Sequence, residues 1–180
     1  MDDRKRIAIL TSGGDCPGLN AVIRAAVSAA NNLNWEVIGF TDGFEGILCP
    51  VRYRVLDARG CAGILSMGGT ILGTTNRGRF AGKVAEGKKA RVPDEIMNEA
   101  KATLEGLGVS ATIVIGGDGS LTTAEQMQEC GMNVVGVPKT IDNDLSATAM
   151  TFGFDSATQC VCDCLDRLHT TAASHRRVMV

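Results

Sequence analysis

Short apolar runs alternate along the chain with longer segments in which apolar residues recur at helical spacing. Each short run is followed by glycine, proline or a polar turn, and the runs lie at 6–10, 36–40, 111–115 and 133–137. The longer segments are 18–30, 94–107, 121–129 and about 156–173. Apolar runs this short, bounded by turn residues, are typical of buried strands. The pattern therefore predicts strands that alternate with helices.

Strands that are apolar throughout are buried on both faces, and their alternation with helices is typical of a parallel sheet. We therefore predict an α/β fold, a doubly wound, mostly parallel sheet with helices on both faces. A chain of 180 residues is long enough for one self-sufficient core, so we expect a single domain over residues 1–180. Ligands of such sheets bind beyond the carboxyl ends of the strands. The loops after Leu10, Ile115 and Val137 should converge there.

Composition and charge narrow the classes of partner. The 18 basic and 20 acidic residues give a net charge of −2, which favours neither nucleic acid nor an anionic membrane as partner. We find no segment long enough to span a membrane and no signal-peptide pattern. Seven cysteines, an odd number, favour free thiols in a reducing compartment, so we expect the cytoplasm. With 22 glycines and only 4% aromatic residues, backbone turns can approach small charged ligands closely, whereas a flat apolar ligand finds few platforms.

A loop with the sequence Gly-Gly-Asp-Gly-Ser follows the third predicted strand, at 116–120. Glycines let backbone N–H groups approach phosphate oxygens, and the helix after the loop adds its positive end. Asp118 would then contact magnesium, which needs only one or two protein carboxylates when it bridges phosphates. The alternative is a tight turn in which Asp118 caps the helix.

The loop after the first strand, at 11–18, has a similar combination of glycines, hydroxyls and a helix start. It is neither a Walker A loop nor a complete dinucleotide fingerprint. Cys16 lies near the helix start, but no histidine lies nearby in sequence to activate it, which disfavours a role as nucleophile. Alone, this loop is weak evidence for an anion site.

The segment Pro-Lys-Thr-Ile-Asp-Asn-Asp at 138–144 places two aspartates directly after a buried strand. In an extended stretch Asp142 and Asp144 point the same way. One of them could accept a proton from an attacking hydroxyl while the other helps to hold a metal or to orient water. Lys139 can neutralise a phosphate. The alternative is an Asx-turn network in which Lys139 is exposed.

Three further segments carry less information. The stretch 76–92 has little apolar content and holds Arg77, Arg79, Lys83, Lys88, Lys89 and Arg91. It is either a solvated charged surface or, through some of its arginines, a phosphate clamp. The cluster at 175–177 has the same two interpretations, a charged surface or a phosphate clamp. Cys160, Cys162 and Cys164 lack the pair spacing of a zinc site, and we expect them to be buried thiols.

Taken together, the motifs resemble the phosphofructokinase family in order and spacing. The segments that carry the resemblance are LTSGGDCPGLNAVIR at 10–24, GGDGS at 116–120, PKTIDND at 138–144, TFGFDSA at 151–157 and SHRRV at 174–178. The resemblance covers essentially the whole chain. It implies transfer of a phosphoryl group to the 1-hydroxyl of fructose 6-phosphate, giving fructose 1,6-bisphosphate in glycolysis, with Mg²⁺ as cofactor.

The resemblance also assigns roles to matched positions. It places Asp142 as catalytic base and Asp118 on the metal, with Thr140 and Asp144 shaping the reacting centre. The residues expected to hold the donor phosphates are Gly14, Gly117, Asp118, Gly119 and Ser120, with Arg77 added at a register uncertain by one residue. Such a site suits phosphoryl transfer, which relies mainly on positioning and electrostatic stabilisation.

Two positions give conflicting indications about the donor. Family members that use ATP usually carry glycine after the metal aspartate, as Gly119 does here, whereas pyrophosphate users usually carry aspartate. At the second position pyrophosphate users carry lysine, and this chain has Lys139. We favour ATP, because a side chain at the first position would obstruct the nucleotide whereas a lysine beside phosphate suits either donor. Pyrophosphate is the alternative.

The length of the chain also departs from the family, whose members continue well past Val180. We therefore expect a truncated, donor-binding half, which leaves open a fragment without turnover or a non-catalytic nucleotide-binding module. In the family, the arginine that matches Arg177 reaches the sugar phosphate of a neighbouring subunit, which implies a homo-oligomer. Effector regulation through Arg24 cannot be separated from a surface helix position on the sequence alone.

Overall fold

The computed structural model describes residues 4–75, 78–80, 91–146 and 148–180. Six strands form one sheet: β1 (Arg6–Thr11), β2 (Glu36–Phe40), β3 (Tyr53–Leu56), β4 (Val109–Gly116), β5 (Val134–Thr140) and β6 (Phe152–Gly153). The helices are α1 (Leu19–Asn32), α2 (Asp94–Gly106), α3 (Asp118–Glu129) and α4 (Phe154–His175). Short 3₁₀ turns span Gly43–Ile47 and Ile64–Ser66.

The strand order is β3-β2-β1-β4-β5-β6, and every pair is parallel except β2 with β3. β1 lies near the centre and is buried almost throughout because both of its faces are covered. Ile7 and Ile9 pack on one side of the sheet, and Ala8 and Leu10 pack on the other, as the two-residue period of a strand requires. The predicted α/β fold with a mostly parallel sheet is confirmed.

Two hydrophobic clusters cover the two faces of the sheet. The first contains apolar residues of α1, including Leu19, Ile23 and Val27, which pack with Ile9 and Ile115. The second contains buried residues of α2 and α3: Met97, Ala100, Leu104, Ala124 and Met127. The chain therefore leaves β1 toward one face and β4 toward the other. This divergence opens a crevice at the carboxyl ends of the two central strands, where ligands of doubly wound sheets bind.

The structure differs from the sequence-based prediction at several boundaries. β5 continues past Pro138 to Thr140, and α3 begins at Asp118 rather than at Leu121. Two strands were not predicted, the antiparallel edge strand β3 and the two-residue strand β6. Helix α4 has no buried residue over its 22 positions. None of the described helices is long and apolar enough to cross a membrane.

Candidate active site

A cleft of about 700 Å³ lies at the carboxyl ends of β1, β4 and β5. It is lined by residues from each of the three predicted loops: 12–15 after β1, 117–120 after β4, and 139–142 at the end of β5. The expectation that these loops converge on one crevice is confirmed. Polar groups that are far apart in the sequence thereby come within reach of one small ligand.

The loop after β1 is held by hydrogen bonds on both sides. The amide of Ser12 donates to the carbonyl of Ile115 at 2.9 Å, which joins this loop to the end of β4. The hydroxyl of Thr74 donates to the carbonyl of Gly13 at 2.9 Å. Gly13 has a φ of 90°, a conformation that glycine adopts at little cost. The backbone at this edge of the cleft is therefore well defined.

The segment after β4 is the first turn of α3 rather than a separate loop. The N-cap is Gly117, and the helix start has no side-chain cap hydrogen bond, so the alternative in which Asp118 caps the helix is wrong. The first amides of a helix lack intrahelical partners and attract anions. Gly116 packs tightly here, since a Cβ at this position would lie 2.6 Å from the Ser120 hydroxyl oxygen. The start of α3 therefore places such amides beside the cleft.

Lys139 lies within β5 and is only 4% exposed. Its ammonium group donates a hydrogen bond to the carbonyl of Gly14 at 2.6 Å, across the cleft wall from β5 to the β1 loop. The alternative in which Lys139 is exposed is therefore wrong. A buried ammonium group is unfavourable unless charge or hydrogen bonds compensate it. Its position at the cleft favours an anionic ligand.

Asp142 lies in the turn that follows β5 and lines the cleft with an exposed side chain. Its backbone amide donates to the hydroxyl of Thr140 at 3.1 Å. The same hydroxyl lies 3.5 Å from a carboxylate oxygen of Asp142. Thr140 thus restricts both the backbone and the carboxylate of Asp142, which stays accessible to a substrate hydroxyl.

Asp144 does not line the cleft with Asp142. It lines a second depression of about 590 Å³ between α3 and β5. The prediction that both carboxylates point the same way assumed an extended chain, and that assumption is wrong. β5 ends at Thr140, and Asn143 adopts a left-handed conformation with a φ of 50°, which turns the chain between the two aspartates.

Asp118 is a cleft-lining carboxylate at the N-terminus of α3, where a cation beside phosphates is predicted. It is the first residue of α3, and it lines both the cleft and the second depression. Within the described ranges, no group of three or more His, Cys, Asp or Glu side chains could hold a metal ion. Mg²⁺ usually keeps several waters and takes only one or two carboxylates in addition to substrate phosphates. The residues present therefore fit magnesium bound together with a phosphate ligand.

Sequence reasoning missed an apolar wall of the cleft. Phe44 and Phe80 stack with ring centroids 5.1 Å apart, and both line the cleft with Val92. A carboxylate oxygen of Glu45 accepts hydrogen bonds from the amides of Arg79 and Phe80, at 2.6 and 3.3 Å. Phe44 and Phe80 are only 6% and 8% exposed, so they close one side of the cleft and expose little ring face, and the expectation of few platforms for a flat apolar ligand stays a prediction. The residue that could have indicated this wall in the sequence is Phe80, which lies within the basic stretch 76–92.

The remaining predicted residues lie elsewhere or outside the described part of the chain. Arg77 lies outside the described residues. Arg177 is exposed just after α4 and does not line the cleft. Cys160, Cys162 and Cys164 are exposed on α4, so the prediction of buried thiols is wrong, because α4 buries none of its residues.

Cys16 is buried beside the cleft, with 2% of its surface exposed. Burial raises the pKa of its thiol, and the positive charge of Lys139 opposes this increase. The thiol donates to the carbonyl of Phe152 at 3.1 Å. A protonated, hydrogen-bonded thiol is a poor nucleophile, in agreement with the sequence-based interpretation.

Comparison with known proteins gives matches over nearly the whole chain. A family model described as Phosphofructokinase matches residues 6–180. The ATP-dependent 6-phosphofructokinase of Chloroflexus aggregans is 53% identical over 177 residues, which cover 98% of this chain and 49% of that protein. The ATP-dependent 6-phosphofructokinase 2 of Streptomyces coelicolor is 50% identical over 176 residues, with 97% and 48% covered. The chain spans about half the length of these curated relatives.

Solved structures of phosphofructokinases also match this chain. The phosphofructokinase from Saccharomyces cerevisiae has a TM-score of 0.83 and 32% identity, over 97% of this chain and 25% of that chain. The pyrophosphate-dependent phosphofructokinase from Marinobacter aquaeolei has a TM-score of 0.65 and 20% identity, over 83% of this chain and 37% of that chain. At that identity the second match shows the fold alone. The family match over residues 6–180 and the relatives near 50% identity show that the chain belongs to the phosphofructokinase family.

Proposed function

We propose that this chain provides the phosphate-donor side of a 6-phosphofructokinase that transfers a phosphoryl group from ATP to the 1-hydroxyl of fructose 6-phosphate. The observation that carries the proposal is the convergence of three groups on one cleft. These are the N-terminus of α3, the buried ammonium of Lys139 and the exposed carboxylate of Asp142. The first two suit an anionic donor, and the third suits a hydroxyl acceptor.

In the proposed reaction the backbone amides at the start of α3 and in the β1 loop hold the donor phosphates, with Gly14, Gly117, Gly119 and Ser120 at the contact. Asp118 would hold Mg²⁺, which neutralises charge on the phosphates when bound. Asp142 accepts the proton of the 1-hydroxyl as its oxygen attacks the γ-phosphorus, and ADP leaves. Thr140 positions Asp142 through the amide hydrogen bond.

ATP is the better supported donor. A Cβ at Gly119 would meet nothing within 4 Å, so this position is open toward the cleft. Phe44, Phe80 and Val92 line one side of the cleft with the small apolar surface that they leave exposed, and a nucleoside has an apolar part to place against it whereas inorganic pyrophosphate has none. The curated relatives near 50% identity are named ATP-dependent. Lys139 is compatible with either donor.

The test of the proposal is fructose 1,6-bisphosphate formation from fructose 6-phosphate and Mg²⁺, run in parallel with ATP and with pyrophosphate. We expect product with ATP and a fall in kcat of about 10²–10⁴-fold in Asp142→Asn, which keeps the side-chain shape but removes the base. Calorimetry should give Mg·ATP affinities within about twofold for the two proteins, because Asp142 acts on the acceptor.

Three outcomes would change the proposal. Turnover of Asp142→Asn at the rate of the parent protein excludes Asp142 as the base. Product with pyrophosphate alone reassigns the donor and leaves the apolar wall unexplained. Tight Mg·ATP binding without product supports the second candidate, a donor-binding module without turnover. The exposure of Asp142 and of helix α4 favours this candidate.

The proposal extends to partners and compartment. Arg177 is exposed beyond α4. In a homo-oligomer it would bind a sugar phosphate held by a neighbouring copy. Asp144 would support the metal from the second depression, which it shares with Asp118. The seven free cysteines suit the reducing cytoplasm. Sedimentation of the purified protein would test the homo-oligomer, and a monomer at micromolar concentration would contradict it.

A further inference from the structure

The turn that carries Asp142 is attached to the start of α4 by one buried threonine. Thr151 is 3% exposed and immediately precedes β6 and α4. Its hydroxyl lies 2.7 Å from the carbonyl of Thr140, and its backbone amide donates to the side-chain oxygen of Asn143 at 3.0 Å. These two contacts flank Asp142 on both sides in the sequence. The turn is therefore held at its beginning and at its middle.

The chemistry of its partners determines to which group the hydroxyl of Thr151 donates its hydrogen. A carbonyl only accepts, so the single hydroxyl hydrogen of Thr151 is donated to Thr140. The Asn143 oxygen, 3.5 Å from that hydroxyl, is satisfied by the Thr151 amide. Asn143 has a φ of 50°, a conformation that asparagine tolerates better than most residues. The substitution Thr151→Val would keep the shape of the side chain but leave the Thr140 carbonyl without this donor.

The same junction also contacts the first donor loop. The thiol of Cys16 donates to the carbonyl of Phe152 at 3.1 Å. Next to it, Gly153 has a φ of 102°, and a Cβ there would lie 2.9 Å from the carbonyl oxygen of Pro17. Residues 151–153 therefore join the turn of Asp142 to the loop that carries Gly14. A displacement of this junction would change the distance between the donor phosphates and the base.

We propose that Thr151 is a positioning residue for Asp142, acting through the Thr140 carbonyl and, with Asn143, through the backbone of the turn. The proposal rests on the proposed function, in which Asp142 is the base. Thr151 does not line the cleft. Its loss should therefore lower kcat without changing donor binding, since a base displaced by about 1 Å can cost on the order of 10²-fold in rate.

The experiment compares Thr151→Val with Thr151→Ser, which keeps the hydroxyl. The control is Thr158→Val, because the Thr158 hydroxyl donates to the carbonyl of Phe154 in its own helix, at 3.0 Å, and the residue is exposed. Amide hydrogen exchange is measured on the chain without substrates. We expect exchange at Asp142 and Thr151 to accelerate about tenfold in Thr151→Val, with α1 and α3 unchanged, because the turn opens locally. Thr151→Ser and Thr158→Val should match the parent protein.

Kinetics provide the readout that a purely structural role would not give. In the transfer assay we expect kcat of Thr151→Val to fall about 10–100-fold, with KM for ATP within about twofold and recovery in Thr151→Ser. Unchanged exchange in the turn overturns the proposal, whether or not the chain turns over. An equal loss of ATP affinity, with faster exchange throughout the chain, also overturns it in favour of general destabilisation. Full turnover of Asp142→Asn is the distinct result that removes the proposed function.

Discussion

Helices α3 and α4 both follow strands of the same sheet, yet only one of them contributes to the core. α3 buries Ser120, Thr123, Ala124 and Met127, whereas α4 is nearly twice as long and buries no residue. Both carry apolar side chains at helical spacing, and in α4 these include Val161, Leu165 and Leu168, all exposed. An amphipathic pattern therefore predicts a helix and its apolar face, but not what that face packs against.

The same contrast divides the candidate site. On the donor side Ser12, Ser120 and Lys139 are at most 9% exposed, and their positions follow from the packing of β1, β4 and α3. The two residues proposed to face the acceptor, Asp142 and Arg177, are exposed. The geometry proposed for donor binding is thus determined by the core of this chain, whereas the position of Asp142 depends on a few hydrogen bonds at the start of α4.

Thiol reactivity should show the largest difference between the two regions. Cys16 and Cys61 are 2% and 1% exposed, and burial raises the pKa of both thiols. A raised pKa lowers the thiolate fraction at any pH below it, and burial keeps the alkylating reagent away from the sulfur. Both thiols should therefore react only after unfolding. With an unfolding free energy of about 5 kcal/mol or more, their alkylation at pH 7.5 should be at least about 10³-fold slower than that of Cys160 and Cys162. Mass spectrometry of the alkylated protein measures these rates.

Equal alkylation of Cys16 and Cys160 in the native protein would show that the β1 loop opens readily. A denatured sample is the control, because there all seven cysteines should react at similar rates.

Removal of core volume from α3 should cost the next largest amount of free energy. Met127 is fully buried in the cluster that α2 and α3 form on the sheet. Met127→Ala should lower the free energy of unfolding by about 2–5 kcal/mol, through lost burial and the remaining cavity. Met150→Ala is the matched control, since Met150 is 56% exposed. Urea unfolding followed by circular dichroism measures both, and equal losses would contradict the division between core and exposed regions.

Loss of the buried charge on the donor side should have a smaller effect, limited to ligand binding. Lys139→Met keeps the length of the side chain but removes the ammonium group, so Mg·ATP binding should weaken by about 1.5–3 kcal/mol, the range for hydrogen bonds to charged groups. Lys101→Met is the control, because Lys101 donates to the carbonyl of Cys130 at 3.1 Å, away from the cleft. Titration calorimetry measures both affinities. Parent-like affinity in Lys139→Met would mean that Lys139 serves only to hold Gly14.

Most of the sheet could be predicted from the sequence because local apolar runs determine it. The runs around Ile9, Ile38 and Ile115 are each long enough to specify a buried strand, and glycine or a short polar turn follows each of them. Their loops then had to converge, since the carboxyl ends of parallel strands lie at one edge. β6 could not be predicted in this way, because its two residues form a strand only by pairing with Lys139 and Thr140.

Within the site, the sequence predicted which residue types are present better than it predicted where their side chains point. The burial of Lys139 depends on the extension of β5 beyond Pro138 and on a carbonyl 125 positions away in the sequence. The separation of Asp142 from Asp144 depends on the left-handed conformation of Asn143, which asparagine permits but does not require. Thr151 belongs to the segment TFGFDSA that carries the family resemblance, but the sequence assigned it no role, because its partners are defined only by the tertiary structure.

The smallest effect is expected on the exposed face of α4. Leu165 is 60% exposed, and Leu165→Gln has a similar helix propensity, so the free energy of unfolding should change by less than about 0.5 kcal/mol. Leu104→Gln in α2 is the matched comparison, because Leu104 is 5% exposed and an unpaired amide there should cost several times more. Urea unfolding at two protein concentrations measures both variants. A loss above about 2 kcal/mol in Leu165→Gln would mean that this face is covered in solution, and a second copy as the cover would make that loss depend on concentration.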